Sequence, residues 1–291
     1  EPWPIQLKRY GWSILQGLLL VGAFGYLYAS VIPPLVADWD RDPDYSHGFL
    51  IPLLSGYFLW ERRQTLAQVP GQPGPLGLLL VLLGIAMLLL GNIGAELFTM
   101  RTSMVVVIAG LALYHNGWAR LKVMAFPIGL LLFMIPWPAI VLNMLTLPLQ
   151  LFAARLSTWS LQLINLPVYR EGNVIFLPHV TLEVVEACSG LRSLVSLLAL
   201  AVVFASMTQR QSWKRALLVV SAIPIAIIAN AFRIWGTGVL AHSYGAQAAD
   251  GFYHTFAGWL VFVVAFILLA IEGFVLSYIG KNHPPREAIG L

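Results

Sequence analysis

Charge is scarce in this chain. Only 30 of its 291 residues carry a fixed charge, 17 Lys or Arg and 13 Asp or Glu, whereas about a quarter of an ordinary soluble domain is charged. Apolar residues make up 59% of the chain, and the mean hydropathy is +0.80. This composition excludes a soluble globular protein, a disordered chain and a nucleic-acid-binding protein. It predicts a polytopic helical membrane protein surrounded by membrane lipids.

Cysteine and metal-ligand patterns are also nearly missing. Cys188 is the single cysteine, so an internal disulfide is excluded. The six histidines show no ligand spacing, and the sequence contains no Gly-rich phosphate loop. We therefore expect neither a metal nor a cofactor. The sequence also lacks an internal repeat and a second soluble segment, which favours one integral membrane domain over residues 1–291.

The apolar residues form continuous runs, which favours membrane helices over a membrane β-barrel. The first run lacks a small-residue cleavage site followed by a soluble body, so we interpret it as a retained span rather than a signal peptide. We expect an all-α polytopic membrane protein with about eight transmembrane helices, at residues 12–32, 46–60, 76–91, 102–115, 123–142, 188–207, 216–235 and 254–279.

The charges in the loops orient these spans. If the N-terminus is cytoplasmic, 11 of the 17 basic residues fall in cytoplasmic loops, and the opposite loops hold most of the Asp and Glu residues. Because cytoplasmic loops of membrane proteins carry an excess of Lys and Arg, this pattern predicts that both termini are cytoplasmic.

One predicted external segment is long, at about 143–187. Its first half, 143–165, is Leu-rich and interrupted by Pro148, which is typical of an amphipathic helix lying at the membrane interface. Its second half is rich in β-branched residues separated by turn formers. This half predicts a small β-hairpin, at about 173–177 and 180–185, over the outer end of the bundle.

Cys188 opens the sixth predicted span, at its outer end. A helix N-terminus has free backbone N–H groups and a positive dipole end, which favour the reactive thiolate. Ser189 and Gly190 form a small-residue turn that leaves room for backbone donors near an oxyanion. Arg192 lies on the same helix face, where it could stabilise the thiolate, pair with Glu186 or extend towards the outer interface. A small apolar filler is the alternative role for the cysteine.

Two further polar residues fall at the same predicted membrane face. Arg233 lies near the outer end of the seventh span, and Asn230 shares its helix face. A guanidinium there can hold an oxyanion or a carboxylate, or form a structural ion pair. His254 opens the eighth span and suits general acid–base catalysis; the alternative is an interfacial His among aromatic residues. A nucleophile, a base and a cation at one face are what acyl transfer through a thioester requires.

These residues lie in four sequence blocks: Glu186-Ala-Cys-Ser-Gly-Leu-Arg-Ser193, Asn230-Ala-Phe-Arg233, His254 followed by Gly258, and the N-terminal Tyr45-Ser-His-Gly-Phe-Leu-Ile-Pro52. The blocks resemble those of the exosortases, the bacterial members of the exosortase/archaeosortase family. The resemblance spans about residues 45–279. Archaeal relatives often carry Arg where this chain has His254, and the chain is most similar to the exosortase A type linked to exopolysaccharide loci.

The resemblance implies a multi-pass cysteine transpeptidase or protease of the bacterial inner membrane, with its active site at the periplasmic face. Its substrates would be proteins with a C-terminal PEP-CTERM tail, which consists of a Pro-Glu-Pro motif, a transmembrane helix and a basic cluster. The acceptor nucleophile stays open. The family's catalytic residues map onto Cys188, Arg233 and His254, with Arg192, Asn230, Glu186 and Ser189 as supporting residues.

Two other functions stay open at this point. A transporter or lipid-handling protein would need polar residues at mid-depth in the bundle, whereas the ionisable residues of this chain cluster at one face. A Cys-dependent acyltransferase acting on a lipid-linked substrate would share Cys188 and differ only in its substrate.

Overall fold

The structure is a computed structural model in which helices dominate and one small antiparallel sheet is present. This architecture confirms the predicted all-α membrane class. Contacts divide the chain into two compact units, Glu1–Pro138 and Ala139–Leu291, and each is described by itself. The single domain over residues 1–291 stays a prediction. The structure describes residues 3–178, 181–184, 191–245 and 252–279.

The first unit contains six helices in its described part. Two short 3₁₀ segments, Pro43–Phe49 and Leu131–Met134, connect and extend them. The helices are α1 (Trp3–Leu27), α2 (Ile32–Arg41), α3 (Leu50–Glu61), α4 (Arg63–Gln68), α5 (Leu76–Ile93) and α6 (Leu97–Leu130).

Helices α1 and α2 form a bent pair whose axes meet at 68°. Tyr28 lies in the bend and is fully buried. Its hydroxyl group is hydrogen-bonded to Ser103 Oγ of α6 at 3.0 Å. Near the end of α2, Asp38 Oδ2 accepts a hydrogen bond at 2.5 Å from Arg101 Nη2, and Arg101 is only 3% exposed. The bend is therefore held against α6 by one neutral and one charged polar contact.

Glycine allows α5 and α6 to approach each other closely. A Cβ atom on Gly77 would lie 2.3 Å from the backbone nitrogen of Tyr114, and one on Gly84 would lie 2.5 Å from Val107 Cγ2. Such distances are too short for any larger residue. Small residues at helix contacts are typical of membrane bundles, where close backbone approach supplies van der Waals attraction.

The chain reverses direction inside α6, at Gly117. This residue has φ 78° and ψ 176°, which glycine tolerates far better than other residues. Residues Arg101 and Met134, on either side of it, contact neighbouring residues of α2, since Trp39 Nε1 donates to Met134 O at 2.8 Å. A straight helix would separate Arg101 and Met134 by about 50 Å. The two halves of α6 are therefore antiparallel.

The predicted number of about eight spans is not confirmed. Among the described residues, five helices are long and apolar enough to cross a membrane, or six if the bent pair counts as one span. Helix α3 is too short, because its 12 residues extend only about 18 Å. The five candidates are Leu76–Ile93, Leu97–Met134, Ile140–Leu163, Ser212–Ser243 and Trp259–Tyr278, and a shorter apolar helix covers Leu194–Thr208. The segment Leu97–Met134 contains the reversal at Gly117, so its two halves form a hairpin rather than one straight span.

The second unit contains four helices and a three-stranded sheet in its described part. The sheet has the order β1-β2-β3, and all pairs are antiparallel. The elements are α7 (Ala139–Leu163), β1 (Tyr169–Glu171), β2 (Val174–Phe176), β3 (Thr181–Glu183), α8 (Leu191–Thr208), α9 (Ser212–Tyr244) and α10 (Phe252–Tyr278).

Both halves of the predicted external segment differ in part from the structure. The hairpin is confirmed as β2 and β3, but β1 was not predicted; it pairs with β2 across a turn at Gly172, whose φ is 60°. The predicted interfacial helix is α7, which continues through Pro148 and is long and apolar enough to count as a candidate span. Its placement along the interface is therefore not confirmed.

Candidate active site

Helices α8, α9 and α10 pack around one shared apolar core. One stripe of α9 faces this core with Leu218, Ala222, Ala226 and Ala229. The residues recur at intervals of three or four, so they lie on one side of the helix. The neighbouring helices contribute Leu197, Ala201 and Ala205 from α8 and Ala265, Leu269 and Leu276 from α10.

Polar contacts at one end of this bundle establish the direction of each helix. Gln209, just after α8, donates through Nε2 to Gly273 O of α10 at 2.7 Å. Lys214, in the first turn of α9, donates through Nζ to Leu276 O at 2.7 Å. The ends of α8 and α10 therefore meet the start of α9. It follows that α8 and α10 begin at the opposite end, beside the C-terminal half of α9.

The helix lengths place Arg233 and the backbone of His254 near the level at which α8 begins. A Cβ atom on Gly273 would contact Phe204 of α8 and Leu218 of α9, so these residues define a reference level. From this level, the first residue of α8 lies about 20 Å along the bundle, Arg233 about 22 Å and His254 about 28 Å. The three levels differ by at most about 8 Å. An extended arginine side chain has about that length, so the Arg233 side chain can bridge the difference.

Arg233 continues the stripe of α9 that faces α8 and α10. It follows Ala229 by four residues and Ala226 by seven, which keeps it on the same helix face. The other side of α9 faces α7, because Ser157 Oγ donates to Ala231 O at 3.1 Å. Arg233 is partly buried, and its own carbonyl accepts a hydrogen bond from Thr237 Oγ1 at 2.9 Å. The Arg233 side chain therefore leaves α9 on the face that packs against α8 and α10.

The predicted site residues are described to different extents. Asn230 is 2% exposed, one turn before Arg233 on α9. Arg192 is the second residue of α8 and His254 the third residue of α10, and only their helical backbone is described. Glu186, Cys188 and Ser189 lie outside the described residues. The catalytic set Cys188, Arg233 and His254 therefore stays a prediction.

The small sheet packs on the same half of α9. Ile175, Leu177 and Val184 share an apolar core with Leu161 of α7 and with Ile234, the residue after Arg233. Val184 precedes Cys188 by four residues. The sheet, up to Val184, therefore packs against the Arg233 end of α9.

Sequence reasoning missed two polar contacts in this unit. The sequence indicates a turn at Gly172 and Asn173, but not that the side-chain amide of Asn173 donates to Val184 O at 3.2 Å. It also gives no partner for Glu272, which accepts a hydrogen bond from Ser221 Oγ in the half of the bundle distant from Arg233. An Asn in a turn is a signal for such backbone contacts, but its partner eleven residues later cannot be deduced from spacing alone.

Comparison with known proteins decides the family. The sequence model of the family described as transmembrane exosortase matches residues 39–271, which is most of the chain. The chain belongs to the transmembrane exosortase family. The matched range includes the N-terminal exosortase block at 45–52 and all three predicted catalytic positions. No curated protein and no solved structure matches the chain significantly.

Exosortase membership and the apolar helices together describe a multi-pass membrane protein whose family is consistent with a membrane-embedded transpeptidase acting on protein sorting signals. Among the described residues, no group of three His, Cys, Asp or Glu side chains has the geometry to hold a metal ion. Among the predicted catalytic residues of this exosortase, Arg233 is the one whose side-chain burial is described, and it is partly buried.

Proposed function

We propose that this exosortase is a membrane-embedded cysteine transpeptidase that cleaves PEP-CTERM-type C-terminal tails at the outer face of a bacterial inner membrane. The observation that carries the proposal is the position of Arg233. It lies on the core-facing stripe of α9, at the end of the bundle where α8 and α10 begin. His254 is the third residue of α10, and Cys188 comes three positions before α8 in the sequence.

Cys188 is the nucleophile in this mechanism. It precedes the first residue of α8 by three positions, and Val184, four positions earlier, is anchored beside Ile234. Free backbone N–H groups at a helix start favour the thiolate. The sulfur attacks the scissile carbonyl carbon, so a C–S bond forms and the carbonyl π electrons move to oxygen.

Arg233 stabilises the charge that develops in this step. Its planar guanidinium group offers several N–H donors to an oxyanion, or to the Glu carboxylate of the tail motif. The core-facing stripe that Arg233 continues consists of Leu218, Ala222, Ala226 and Ala229, so this side of α9 is apolar. Donors in such a water-poor environment stabilise an oxyanion more strongly than donors in bulk water. Asn230 and Arg192 support this positive site.

His254 moves the protons. It protonates the leaving amine as the C–N bond breaks, which leaves a thioester on Cys188 and a free tail helix. It then accepts a proton from the acceptor, which is an amine, a hydroxyl group or water. The nitrogen or oxygen of the acceptor attacks the thioester carbon, and the C–S bond breaks to release the thiolate. The tail helix lies in the bilayer beside the bundle, so its Pro-Glu-Pro segment reaches the outer face.

A transporter is the main alternative, and the described core argues against it. A transport pathway needs polar groups at mid-depth, whereas Ala222, Ala226 and Ala265 fill the middle of the α8–α10 bundle. Glu272, an acidic residue of α10, is hydrogen-bonded to Ser221 in the half of the bundle distant from Arg233.

The proposal is tested by co-expression with a tagged protein that carries a PEP-CTERM tail, followed by intact mass measurement of that protein. We expect tail loss with the wild-type chain and none with Cys188→Ala at equal membrane abundance. The mass added at the new C-terminus identifies the acceptor. Equal processing by Cys188→Ala would overturn the cysteine mechanism. A protein that keeps its tail and gains the mass of a lipid would favour the acyltransferase.

A further inference from the structure

Four basic side chains gather at one end of the first unit, and the proposed function uses none of them. They are brought together by contacts between α3 and the second half of α6. Arg62 Nη1 donates to Val123 O at 2.9 Å. Arg63 and Lys122 are the sequence neighbours of these two bonded residues, so they lie at the same junction. We call this cluster of Arg62, Arg63, Arg120 and Lys122 the basic end.

The basic end carries more positive than negative charge. Arg62 donates to one neutral backbone carbonyl, and Arg120 Nε donates to another, Val69 O, at 2.9 Å. In the part of the chain that the structure describes, Arg63, Arg120 and Lys122 form no ion pair. Glu61 is the single acidic residue in the segments that form this end, 60–74 and 115–126. The basic end therefore keeps a net positive charge.

Two exposed tryptophans place the basic end at the level of lipid headgroups. Arg63 Cζ lies 4.1 Å from the ring centroid of Trp60, and Lys122 Nζ lies 6.0 Å from that of Trp118. These rings are 59% and 62% exposed. Tryptophan is enriched where a membrane helix crosses from hydrocarbon to headgroups. Each cation is therefore presented over an aromatic ring at the interface, where a phosphate is accessible.

The same helix continues as an apolar surface next to this charge. On α3, Tyr57 is 45% exposed one turn before Trp60, and Leu53 is 70% exposed two turns before it. An occupant that matches both parts needs an anionic head and a long apolar tail. Free phosphate matches only the charge, and a zwitterionic lipid has no net charge to offset that of the basic end.

We propose that the basic end binds the headgroup of an anionic phospholipid, with the phosphate between Arg63 and Lys122 and an acyl chain along α3. Basic clusters at helix ends recognise acidic lipids in this way. Arg62 and Arg120 position the two segments through their backbone contacts, so the site exists before the lipid arrives. This site is independent of Cys188, Arg233 and His254.

The test measures lipid binding to the purified full-length protein after delipidation, with phosphatidylglycerol, phosphatidylcholine and inorganic phosphate titrated separately. We expect a rise in unfolding temperature that saturates with phosphatidylglycerol only. The double variant Arg63→Gln/Lys122→Gln should bind about 30-fold more weakly, because each basic residue near an anionic surface contributes roughly fivefold. Each single variant should fall in between, which keeps the test informative if the double variant folds poorly.

Arg210→Gln is the matched control, because Arg210 is an exposed arginine in the turn between α8 and α9, with no aromatic contact among the described residues. It should bind phosphatidylglycerol as tightly as the wild type does. The proposal is overturned if the control loses as much affinity as the double variant, if phosphatidylcholine binds equally well, or if inorganic phosphate alone reproduces the stabilisation.

Discussion

Asn173 is hydrogen-bonded to both the backbone N–H and the backbone carbonyl of Val184. Val184 N donates to Asn173 O at 2.9 Å, and Asn173 Nδ2 donates to Val184 O at 3.2 Å. Val184 is the last described residue before the segment that contains Cys188. A turn asparagine thus anchors the chain that leads to the proposed nucleophile.

Removing the Asn173 side chain should lower the rate of tail removal strongly and the free energy of unfolding only slightly. Asn173→Ala deletes one hydrogen bond, which contributes about 1 kcal/mol, yet it frees the chain near the nucleophile, and small misplacements of reacting groups reduce rates strongly. We expect at least a tenfold lower initial rate of tail removal. Asn143→Ala, at an exposed position of α7, is the control and should keep the wild-type rate. Equal rates in both variants would remove Asn173 from the site.

Charge alone should not replace Arg233. Lysine keeps a positive charge but lacks the planar fork of donors, so Arg233→Lys should lose activity nearly as fully as Arg233→Ala. We expect rates of tail removal at least about 100-fold below the wild type for both, as for the loss of an oxyanion donor. Arg155→Lys, at an exposed position on α7, should be neutral. Wild-type activity in Arg233→Lys would show that only the charge matters.

The glycine contact between α5 and α6 should tolerate no added side chain. In Gly77→Ala the new Cβ would meet backbone atoms of Tyr114 and Gly110, which cannot rotate away. Overpacking of this kind costs about 1–3 kcal/mol, so the unfolding temperature in detergent should fall. Gly56→Ala adds the same atom to α3 with no described heavy atom within 4 Å. That control should be neutral or slightly stabilising, and an equal loss in both variants would contradict the packing argument.

Glu96 should make the start of α6 sensitive to acid. Its carboxylate caps the helix by accepting hydrogen bonds from Thr99 N at 2.6 Å and Phe98 N at 3.1 Å. The hydrogen bond with Thr99 is the main reason why the pKa of Glu96 lies below its ordinary value of 4.5. A lowered pKa in the folded state contributes stability above pH 4.5 that is lost as the pH falls through the folded value. Because Glu96 is exposed, solvent screening keeps this contribution small.

Amide hydrogen exchange at Phe98 and Thr99 between pH 6 and pH 3 measures this effect, after correction for the intrinsic pH dependence of exchange. We expect protection to fall at the acidic end in the wild type. In Glu96→Gln the protection should be lower at pH 6 and should no longer change with pH. A pH profile in Glu96→Gln that equals the wild-type profile would assign the transition to another group.

Local sequence patterns predict the candidate site residues, and packing decides how Arg233 is presented. The blocks around Cys188, Arg233 and His254 are short and contiguous, so they are recognisable without a structure. That Arg233 continues the stripe of Ala226 and Ala229 against α8 and α10 depends on which face of α9 meets which neighbour. Contacts between residues far apart in sequence set that choice.

The sequence by itself determined the membrane class, the apolar helices and the β2–β3 hairpin, because each follows from composition or from a short-range period. Only the tertiary structure decided the bend at Tyr28, the pairing of β1 with β2 and the continuation of α7 through Pro148. The bend depends on Ser103 and α6, which lie 75 residues further along the chain. A proline ends a helix in water, but neighbouring helices in a membrane protein can satisfy the backbone groups that it frees.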